Sequence, residues 1–214
     1  AKIEKGIAKA VEIGEGVVPT YFTHEVTDFE PVVDADGNPV MSHYGLQKAK
    51  VKGFKAVPLP AFLEGPARMM GYVDTDTARE MFNNVKKTDI YDSKLGMYKT
   101  SASIEECSME NGRCRAFTPG WQERENVFLH MEYKYMLAMI KAGLYDEFYE
   151  TVTRALVPFL DPNMYGRSIL ENSSFIASSA NPNEDIHGRG FVARLSGSTT
   201  EMISMWIEMF TGGK

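Results

Sequence analysis

The chain has 214 residues, enough for one domain with a sizeable core or for part of a larger domain. Hydrophobic residues make up 43% of it and charged residues 24%, which is ordinary for a folded protein and argues against a disordered chain. The formal net charge is −6 and the basic residues are scattered, whereas a nucleic-acid-binding protein needs a concentrated basic face. We therefore expect no nucleic acid among its partners.

No apolar run is long enough to cross a bilayer and no signal peptide opens the chain, so we expect a cytoplasmic protein without a membrane partner. The two cysteines, Cys107 and Cys114, share a polar stretch; free thiols are the first expectation and a disulfide across the stretch is the alternative. No histidine lies close to them in sequence, so no metal site is expected. The start at Ala1 without a methionine, and the Gly212-Gly213 pair directly after a predicted helix, form the pattern expected of a piece of a longer chain.

The first half of the chain mixes helical, extended and turn patterns. Residues 2–14 have a helical spacing of apolar side chains, and residues 17–26 have an extended pattern. Asp-Gly and Asn-Pro pairs predict a turn over residues 34–39. Helices are predicted over residues 67–72 and 76–87, and the second of these has Asp74 or Thr75 as its cap and Ala78, Met81, Phe82 and Val85 on one face.

The second half is dominated by helices and loops. Residues 88–120 contain many turn residues, and this composition predicts a long, partly ordered loop. The clearest helical pattern covers residues 126–142, and a second helix is predicted over residues 145–157, before Pro158. Residues 161–197 are rich in Gly, Ser, Asn and Pro, with one short helix predicted over residues 173–180.

The last helix is predicted to start at Ser198, where Ser198 and Glu201 have the spacing of a capping box. Strands and helices do not alternate along the chain, which disfavours a doubly wound sheet. We therefore expect an all-α protein of the (α/α)6-toroid type, a partial barrel with long loops and a few short strands. Residues 1–214 would form a single domain, the C-terminal portion of a larger helical-barrel catalytic domain.

Three polar clusters are candidates for chemistry. The first cluster places Glu123 and Glu125 at the N-terminus of the helix that carries His130. The alternative is that the two glutamates only complement the helix dipole and that His130 packs in the core. The second covers residues 165–174, whose alternative interpretation is a surface loop. The third covers residues 188–199, where a Gly/Ser turn opening a helix presents free N–H groups to an anion, or only caps the helix. Arg189 or Arg194 could add charge-assisted bonds there.

The order of these motifs resembles the C-terminal barrel half of the cellobiose and chitobiose phosphorylases. The resemblance covers residues 118–210 and runs through Arg124-Glu125-Asn126, the segment from Val127 to His130, then Tyr165 and Glu171, and finally Ser196-Gly197-Ser198. Family members carry an R/T-E-N-G-G segment leading to a histidine, a later tyrosine and glutamate, and an L-T-G-T-A turn that opens the last barrel helix. Residues 17–100 resemble large multidomain relatives of this family.

The resemblance implies an inverting phosphorylase that cleaves a β-glucosidic bond with inorganic phosphate, which is a co-substrate, and needs no cofactor. It implies phosphate binding by His130, Ser196 and Gly197, to which the turn composition adds Arg194, and sugar binding by Arg124, Glu125 and Glu171. The partners implied are an oligosaccharide or β-glucoside, inorganic phosphate, and the remainder of a parent chain or a second copy.

This sequence departs from the family pattern in several places. The Gly-Gly after Glu125-Asn126 is missing, and Ser196 replaces a threonine. The Gly-Asp-Trp-Asn-Asp-like motif that supplies the family's catalytic acid is absent, so the acid is expected upstream of Ala1 and the isolated chain could be inactive. An inverting hydrolase on the same toroid and a non-catalytic carbohydrate-binding domain are the alternatives, because a fold by itself decides none of these functions.

Overall fold

The computed structural model describes residues 1–192 and 197–212, which contain seven α-helices and seven β-strands. The helices are α1 (Lys2–Ile13), α2 (Glu64–Met69), α3 (Thr75–Lys86), α4 (Leu129–Lys141), α5 (Tyr145–Ala155), α6 (Pro162–Tyr165) and α7 (Gly197–Thr211). The strands are β1 (Phe22–Pro31), β2 (Ala49–Pro58), β3 (Tyr91–Asp92), β4 (Met97–Tyr98), β5 (Val127–Phe128), β6 (Phe175–Ile176) and β7 (Gly190–Phe191). None of these described helices is both long and apolar enough to cross a membrane.

The expectation of an all-α toroid is wrong. The protein is of mixed α/β composition, with 43% helix and 18% strand, and the strands form small antiparallel sheets in the described residues: β1–β2, β3–β4 and β5–β6–β7. Strands β3 to β7 have two residues each, which is too short to leave an alternating pattern in the sequence. The short helix expected over residues 173–180 is also wrong, because that segment contributes β6 to a sheet.

The main helices expected from the sequence are confirmed to within a few residues. Helix α3 begins after Asp74, whose Oδ1 accepts a hydrogen bond of 2.9 Å from the backbone N–H of Thr77. Its buried face is the predicted one: Ala78, Met81, Phe82 and Val85. Helices α4 and α5 match the expected ranges 126–142 and 145–157, although α4 starts later because β5 precedes it, and α7 begins one residue before the expected start at Ser198.

Helix α4 is the centre of the core. It packs against α2, α5 and α7, and of its residues only Lys141 is exposed. The Tyr133 hydroxyl donates to Asn172 Oδ1 at 3.0 Å and accepts from the backbone N–H of Val157 at 3.1 Å, which fixes α4 to the end of α5 and to the loop before β6. Because a helix that is apolar on most sides must be covered on most sides, α4 determines where its neighbours lie.

Residues Tyr21–Leu59 form a compact unit of their own, and residues Ala1–Thr20 with Pro60–Lys214 form the other. In the smaller unit β1 and β2 make a long antiparallel hairpin, and ion pairs join its strands between Glu25 and Lys55 at 2.6 Å and between Glu30 and Lys52 at 2.9 Å. The expected turn is confirmed: Asp34 Oδ1 accepts from the backbone N–H of Asn38 at 2.8 Å. The expectation of a single domain within a larger catalytic domain stays a prediction.

Glu132 lies fully buried in the first turn of α4. Its Oε2 accepts a hydrogen bond of 3.0 Å from the backbone N–H of Tyr98, while Oε1 has no partner among the described residues. Burial raises the pKa of Glu132 well above its ordinary value; the bond from Tyr98 acts in the opposite direction and the charge of Asp92 adds to the rise. The core therefore favours the protonated carboxyl.

Replacing Glu132 by Gln should remove a pH-dependent loss of stability. Because the folded-state pKa of Glu132 is raised, the folded protein binds more protons than the unfolded chain above about pH 4.5, and the free energy of unfolding of the wild type should fall as the pH rises. Glu132→Gln should be more stable than wild type at pH 8 by on the order of 1–3 kcal/mol, because the amide cannot ionise and the core no longer bears the cost of a buried carboxyl at a pH that favours its charged form.

Urea unfolding at several pH values measures this difference. Glu80 is an exposed glutamate on α3, so Glu80→Gln is the matched control and should keep the wild-type pH dependence. Parallel profiles for wild type and Glu132→Gln would contradict the assignment.

Candidate functional site

The sheet β5–β6–β7 brings together the segments that the sequence singles out. Val127 pairs with Ile176, Phe128 with Phe175, and Phe175 in turn with Phe191. Helix α4 follows β5 directly, so the first turn of α4 lies at the edge of this sheet. The three short strands therefore bring the first cluster, which precedes α4, next to the segment around β6. They also bring the start of the third cluster next to that segment.

A row of aromatic rings crosses the sheet. The Trp121 and Phe191 rings are stacked with centroids 3.8 Å apart and planes at 8°. Phe191 packs on Phe175 at 5.4 Å, Phe175 on Phe128 at 4.9 Å, and Phe128 meets the His130 ring edge-to-face at 5.7 Å. Trp121 and His130, at the two ends of the row, are both partly exposed. Phe175 is buried in the middle of the row, so the partly exposed Trp121 ring is the part against which a flat apolar ring face can pack.

Arg124 is buried and most of its guanidinium is used within the protein. Nη1 donates to the carbonyl oxygens of Arg115 at 3.0 Å and Phe117 at 2.9 Å. Nη2 binds the Glu105 carboxylate, and Nε donates to Glu125 Oε2 at 3.4 Å. A guanidinium has five N–H donors, so little of it is left for a ligand. Arg124 therefore fixes the loop and the neighbouring carboxylate.

Glu125 is the buried carboxylate beside this arginine. Its backbone has φ = 53°, and its carbonyl accepts a hydrogen bond from the Ser178 hydroxyl. Burial raises the pKa of Glu125, against the lowering effect of the positive charges of Lys99 and Arg124, while Asp89 adds to the rise. A carboxyl held in one orientation with a raised pKa can donate a hydrogen bond or a proton at higher pH than an exposed glutamate can.

His130 lies against the start of α7. A Cβ placed on Gly197 would be 2.6 Å from His130 Nδ1 and 2.7 Å from Cγ, so only glycine allows this approach. His130 Nε2 is 3.3 Å from Glu201 Oε1, and Lys134 Nζ is 4.0 Å from the same oxygen. Two residues implied in phosphate binding, His130 and Gly197, are thus in direct contact.

The expected capping box at the start of α7 is wrong. Helix α7 begins at Gly197, so Ser198 lies inside it, and the Ser198 hydroxyl donates to the carbonyl of Ser173 at 3.3 Å. Glu201 contacts His130 instead of reaching back to the helix start. This contact gives α7 a connection to α4 that the spacing of the sequence does not reveal.

The other expected site residues have different surroundings. Arg194 and Ser196 lie outside the described residues. Glu171 is exposed; its carboxylate binds Arg167 Nη2 at 3.0 Å and its carbonyl accepts from the Tyr165 hydroxyl at 2.8 Å. These contacts hold a surface turn, and none of them connects Glu171 with Glu125 or His130.

No protein-family model matches the chain, and no curated protein is found as its relative. The resemblance to the cellobiose and chitobiose phosphorylases therefore rests on the motifs in the sequence. Among the described residues no group of three or more His, Cys, Asp or Glu side chains could hold a metal ion.

No motif in the sequence singles out two buried charged residues near the site, Lys99 and Asp92. Lys99 Nζ lies 3.0 Å from Asp89 Oδ1, and the Lys99 charge acts on Glu125. Asp92 is buried and accepts hydrogen bonds from the Ser179 backbone N–H at 2.7 Å and hydroxyl at 2.8 Å. Asp92 and Ser179 are 87 positions apart, so only the fold makes them partners.

Replacing Gly197 by Ala should destabilise the protein by about 1–3 kcal/mol, the usual cost of overpacking, because the new methyl group would overlap the His130 ring. The double variant Gly197→Ala/His130→Ala should recover most of this loss, since the ring is then absent. Urea unfolding of the two single variants and the double variant measures the coupling between these residues.

Gly6→Ala in α1 is the matched control for this cycle. A Cβ at Gly6 would meet nothing within 4 Å, so this helical alanine should leave stability unchanged or raise it. Additive effects of Gly197→Ala and His130→Ala would argue against the contact.

Proposed function

We propose that this chain is a glycoside phosphorylase, or the phosphate-binding part of one. It would cleave a β-glucosidic bond with inorganic phosphate and give a sugar 1-phosphate with inverted configuration. The observation that carries the proposal is the contact of the His130 imidazole with Gly197 at the start of α7. These two residues are 67 positions apart in the sequence and both belong to the phosphate-binding set that the resemblance implies.

The start of α7 suits an anion for physical reasons. The first turn of an α-helix has N–H groups without partners in the helix and carries the positive end of its dipole. His130 adds a ring nitrogen, Nδ1, close to Gly197. Hydrogen phosphate has both P–OH and P–O groups, so it can bond to this nitrogen as donor or as acceptor. The negative charge of Glu201 opposes an anion here, and Lys134 balances part of it.

The sugar would lie towards the other end of the aromatic row. The partly exposed Trp121 ring, backed by Phe191, offers a flat apolar face of the kind on which a pyranose ring packs. Glu125, oriented by Arg124, would accept hydrogen bonds from sugar hydroxyls. In this arrangement Arg124 acts through Glu125, and Glu171 lies outside the contacts that support the proposal.

The reaction needs one proton donor and one nucleophile. A phosphate oxygen attacks the anomeric carbon, the glycosidic C–O bond breaks, and a carboxylic acid protonates the departing oxygen. Phosphate is already an anion, so no general base is required. The motif that carries the family's acid is missing from this sequence, and we expect residues 1–214 alone to bind phosphate and sugar with little turnover.

A second candidate is an inverting hydrolase, and the raised pKa of Glu125 favours it. Burial keeps a fraction of this carboxyl protonated at higher pH, as a general acid requires. The acid would then belong to this chain, and an activated water would replace phosphate. Dependence of turnover on phosphate separates the two functions.

We propose that the protein is cytoplasmic. Cys107 and Cys114 are both free thiols, partly buried in one loop. Burial raises the pKa of the Cys107 thiol, which lowers its reactivity. Unpaired thiols of this kind fit a reducing compartment.

Phosphate binding tests the proposal independently of turnover. Titration of the wild type with inorganic phosphate in a calorimeter should show one site. Replacing His130 by Ala should raise the dissociation constant by about 10- to 150-fold, since a hydrogen bond to a charged group contributes about 1.5–3 kcal/mol. Trp121→Ala should leave phosphate binding intact and weaken binding of a β-linked gluco-oligosaccharide.

His187→Ala is the matched control, because His187 is also partly buried but contacts Lys94 and the carbonyl of Asn181, away from α7. It should bind phosphate as the wild type does. Equal losses in His130→Ala and His187→Ala, or no phosphate binding at all, would contradict the phosphorylase. Oligosaccharide binding without phosphate binding would point to a carbohydrate-binding domain.

A further inference from the structure

A polar cavity lies between the β3–β4 hairpin and α5 and shares no residue with the aromatic row. Its volume is about 280 Å³, close to the lower limit of roughly 300 Å³ for small-molecule sites. We call it the hairpin cavity. Hydroxyl and charged side chains make up most of its lining, which consists of Tyr91, Ser93, Gly96 and Tyr98 from the hairpin and Glu150, Thr151, Thr153 and Arg154 from α5.

The hairpin holds one wall of this cavity in a fixed shape. Asp92 Oδ1 accepts hydrogen bonds from the backbone N–H groups of Lys94 at 3.1 Å and Leu95 at 3.2 Å, which closes the turn. Gly96 follows with φ = 71°, and a Cβ placed on it would be 3.2 Å from Arg154 Cγ. Because Gly96 has no side chain, the aliphatic part of Arg154 lies against the turn. The turn therefore supports Arg154 along its length.

Several hydrogen-bond donors of the hairpin cavity are free for a ligand. In the part of the chain that the structure describes, the Arg154 guanidinium has neither an ion pair nor a hydrogen bond, although it has five N–H donors. The hydroxyls of Tyr91 and Ser93 have no protein partner there either. Tyr98 and Thr151, 2% and 4% exposed, add two deeply buried polar side chains to the lining.

The charges around the hairpin cavity favour a monoanion. Glu150 Oε1 lies 2.6 Å from Lys86 Nζ, and its other carboxylate oxygen remains as an acceptor. Lys86 and Arg154 are positive and Glu150 is negative, so the three charges leave a net charge of +1. A phosphate monoester carries about −1.5 to −2 at pH 7, and Glu150 would oppose the second charge. A carboxylate carries a single charge and matches the net charge.

We propose that the hairpin cavity binds a small polyhydroxy carboxylate, of which a sugar acid is the simplest example. The planar Arg154 guanidinium matches a planar carboxylate and can form two parallel hydrogen bonds with it. Tyr91, Ser93 and the free oxygen of Glu150 would bind the hydroxyl groups of the ligand. The carboxylate can belong to a free sugar acid or to the terminal uronate of an acidic oligosaccharide, since both present the same groups.

The lining favours a small polar ligand over a packed protein segment. An apolar segment seated in the cavity would remove water from the Arg154 guanidinium and from the hydroxyls of Tyr91 and Ser93 without replacing their hydrogen bonds. Burying a charged or polar group without a partner is costly. A ligand with a carboxylate and several hydroxyls supplies a partner to each of these groups.

NMR of the full ¹⁵N-labelled chain tests the proposal, with D-glucuronate as the probe. Added D-glucuronate should shift the Gly96 amide signal until it saturates and leave the Gly197 signal in place. Arg154→Gln should raise the dissociation constant at least about tenfold, because the bond to a charged group is lost. Arg154 is exposed, so circular dichroism should show that the variant stays folded.

Two controls make the test specific. D-Glucose has a pyranose ring without the carboxylate and should bind at least about tenfold more weakly than D-glucuronate. Arg68→Gln removes an exposed arginine of α2 that binds Glu64, outside the hairpin cavity, and should bind D-glucuronate as the wild type does. Equal affinity for glucose and glucuronate, equal losses in the two arginine variants, or no saturable shift at Gly96 would each overturn the proposal.

The source of the ligand follows from a second titration with a disaccharide that ends in glucuronate. Tighter binding than that of free D-glucuronate supports an acidic oligosaccharide, and weaker binding supports a free sugar acid. The hairpin cavity contains none of the residues proposed to bind phosphate or the glycoside. Failure of glucuronate binding therefore leaves the proposed function as it stands, and absence of phosphate binding leaves the hairpin cavity as it stands.

Discussion

The burial of α4 on nearly all sides is the constraint on which the rest of the structure depends. Its neighbours α2, α5 and α7 pack where they cover it, and its first turn follows β5 without a connecting loop. The same helix therefore buries Tyr133 and Met136 in the core and carries His130 to the edge of the sheet. A core substitution that shifts α4 would move the candidate site as well, so stability and site geometry are joined in this helix.

The sequence allows the helices of this fold to be predicted but not its sheets. The apolar spacing of α3, α4 and α7 survives in the structure because each helix is long enough to repeat its pattern. Strand β2 has a signal in the sequence, since Lys50, Lys52 and Lys55 are interspersed with apolar residues, but the nearby turn residues obscure it. The two-residue strands had no such signal, because they exist only where distant segments meet. The expectation of an all-α toroid is wrong because the sequence does not show which distant segments pair as strands.

The sequence predicts the candidate site only where a residue type, together with its neighbours in sequence, is enough to indicate a chemical role. A Gly/Ser turn before a helix indicates free N–H groups, and a histidine at the start of another helix is a recognisable pattern, but their contact requires the fold. Arg124 was expected to bind sugar, whereas its hydrogen bonds to two carbonyls turn it towards the loop. The contact of Glu201 with His130 and the effect of the Lys99 charge on Glu125 gave no signal in the sequence, since both depend on partners far along the chain.

The residues around the sheet adopt an unusual backbone conformation. Gln122, Glu125 and Val192 all have φ between 53° and 55°, the left-handed region that costs a side-chain-bearing residue about 1–3 kcal/mol. Hydrogen bonds from the Arg124 backbone N–H to the Trp121 carbonyl, from the Ser178 hydroxyl to the Glu125 carbonyl and from the Ser174 backbone N–H to the Val192 carbonyl hold the chain around these residues, so a ligand would not have to order it. Glycine at these positions would relieve the cost and let the loop sample other shapes. Thermal stability and a fixed loop geometry would then change in opposite directions at the same three residues.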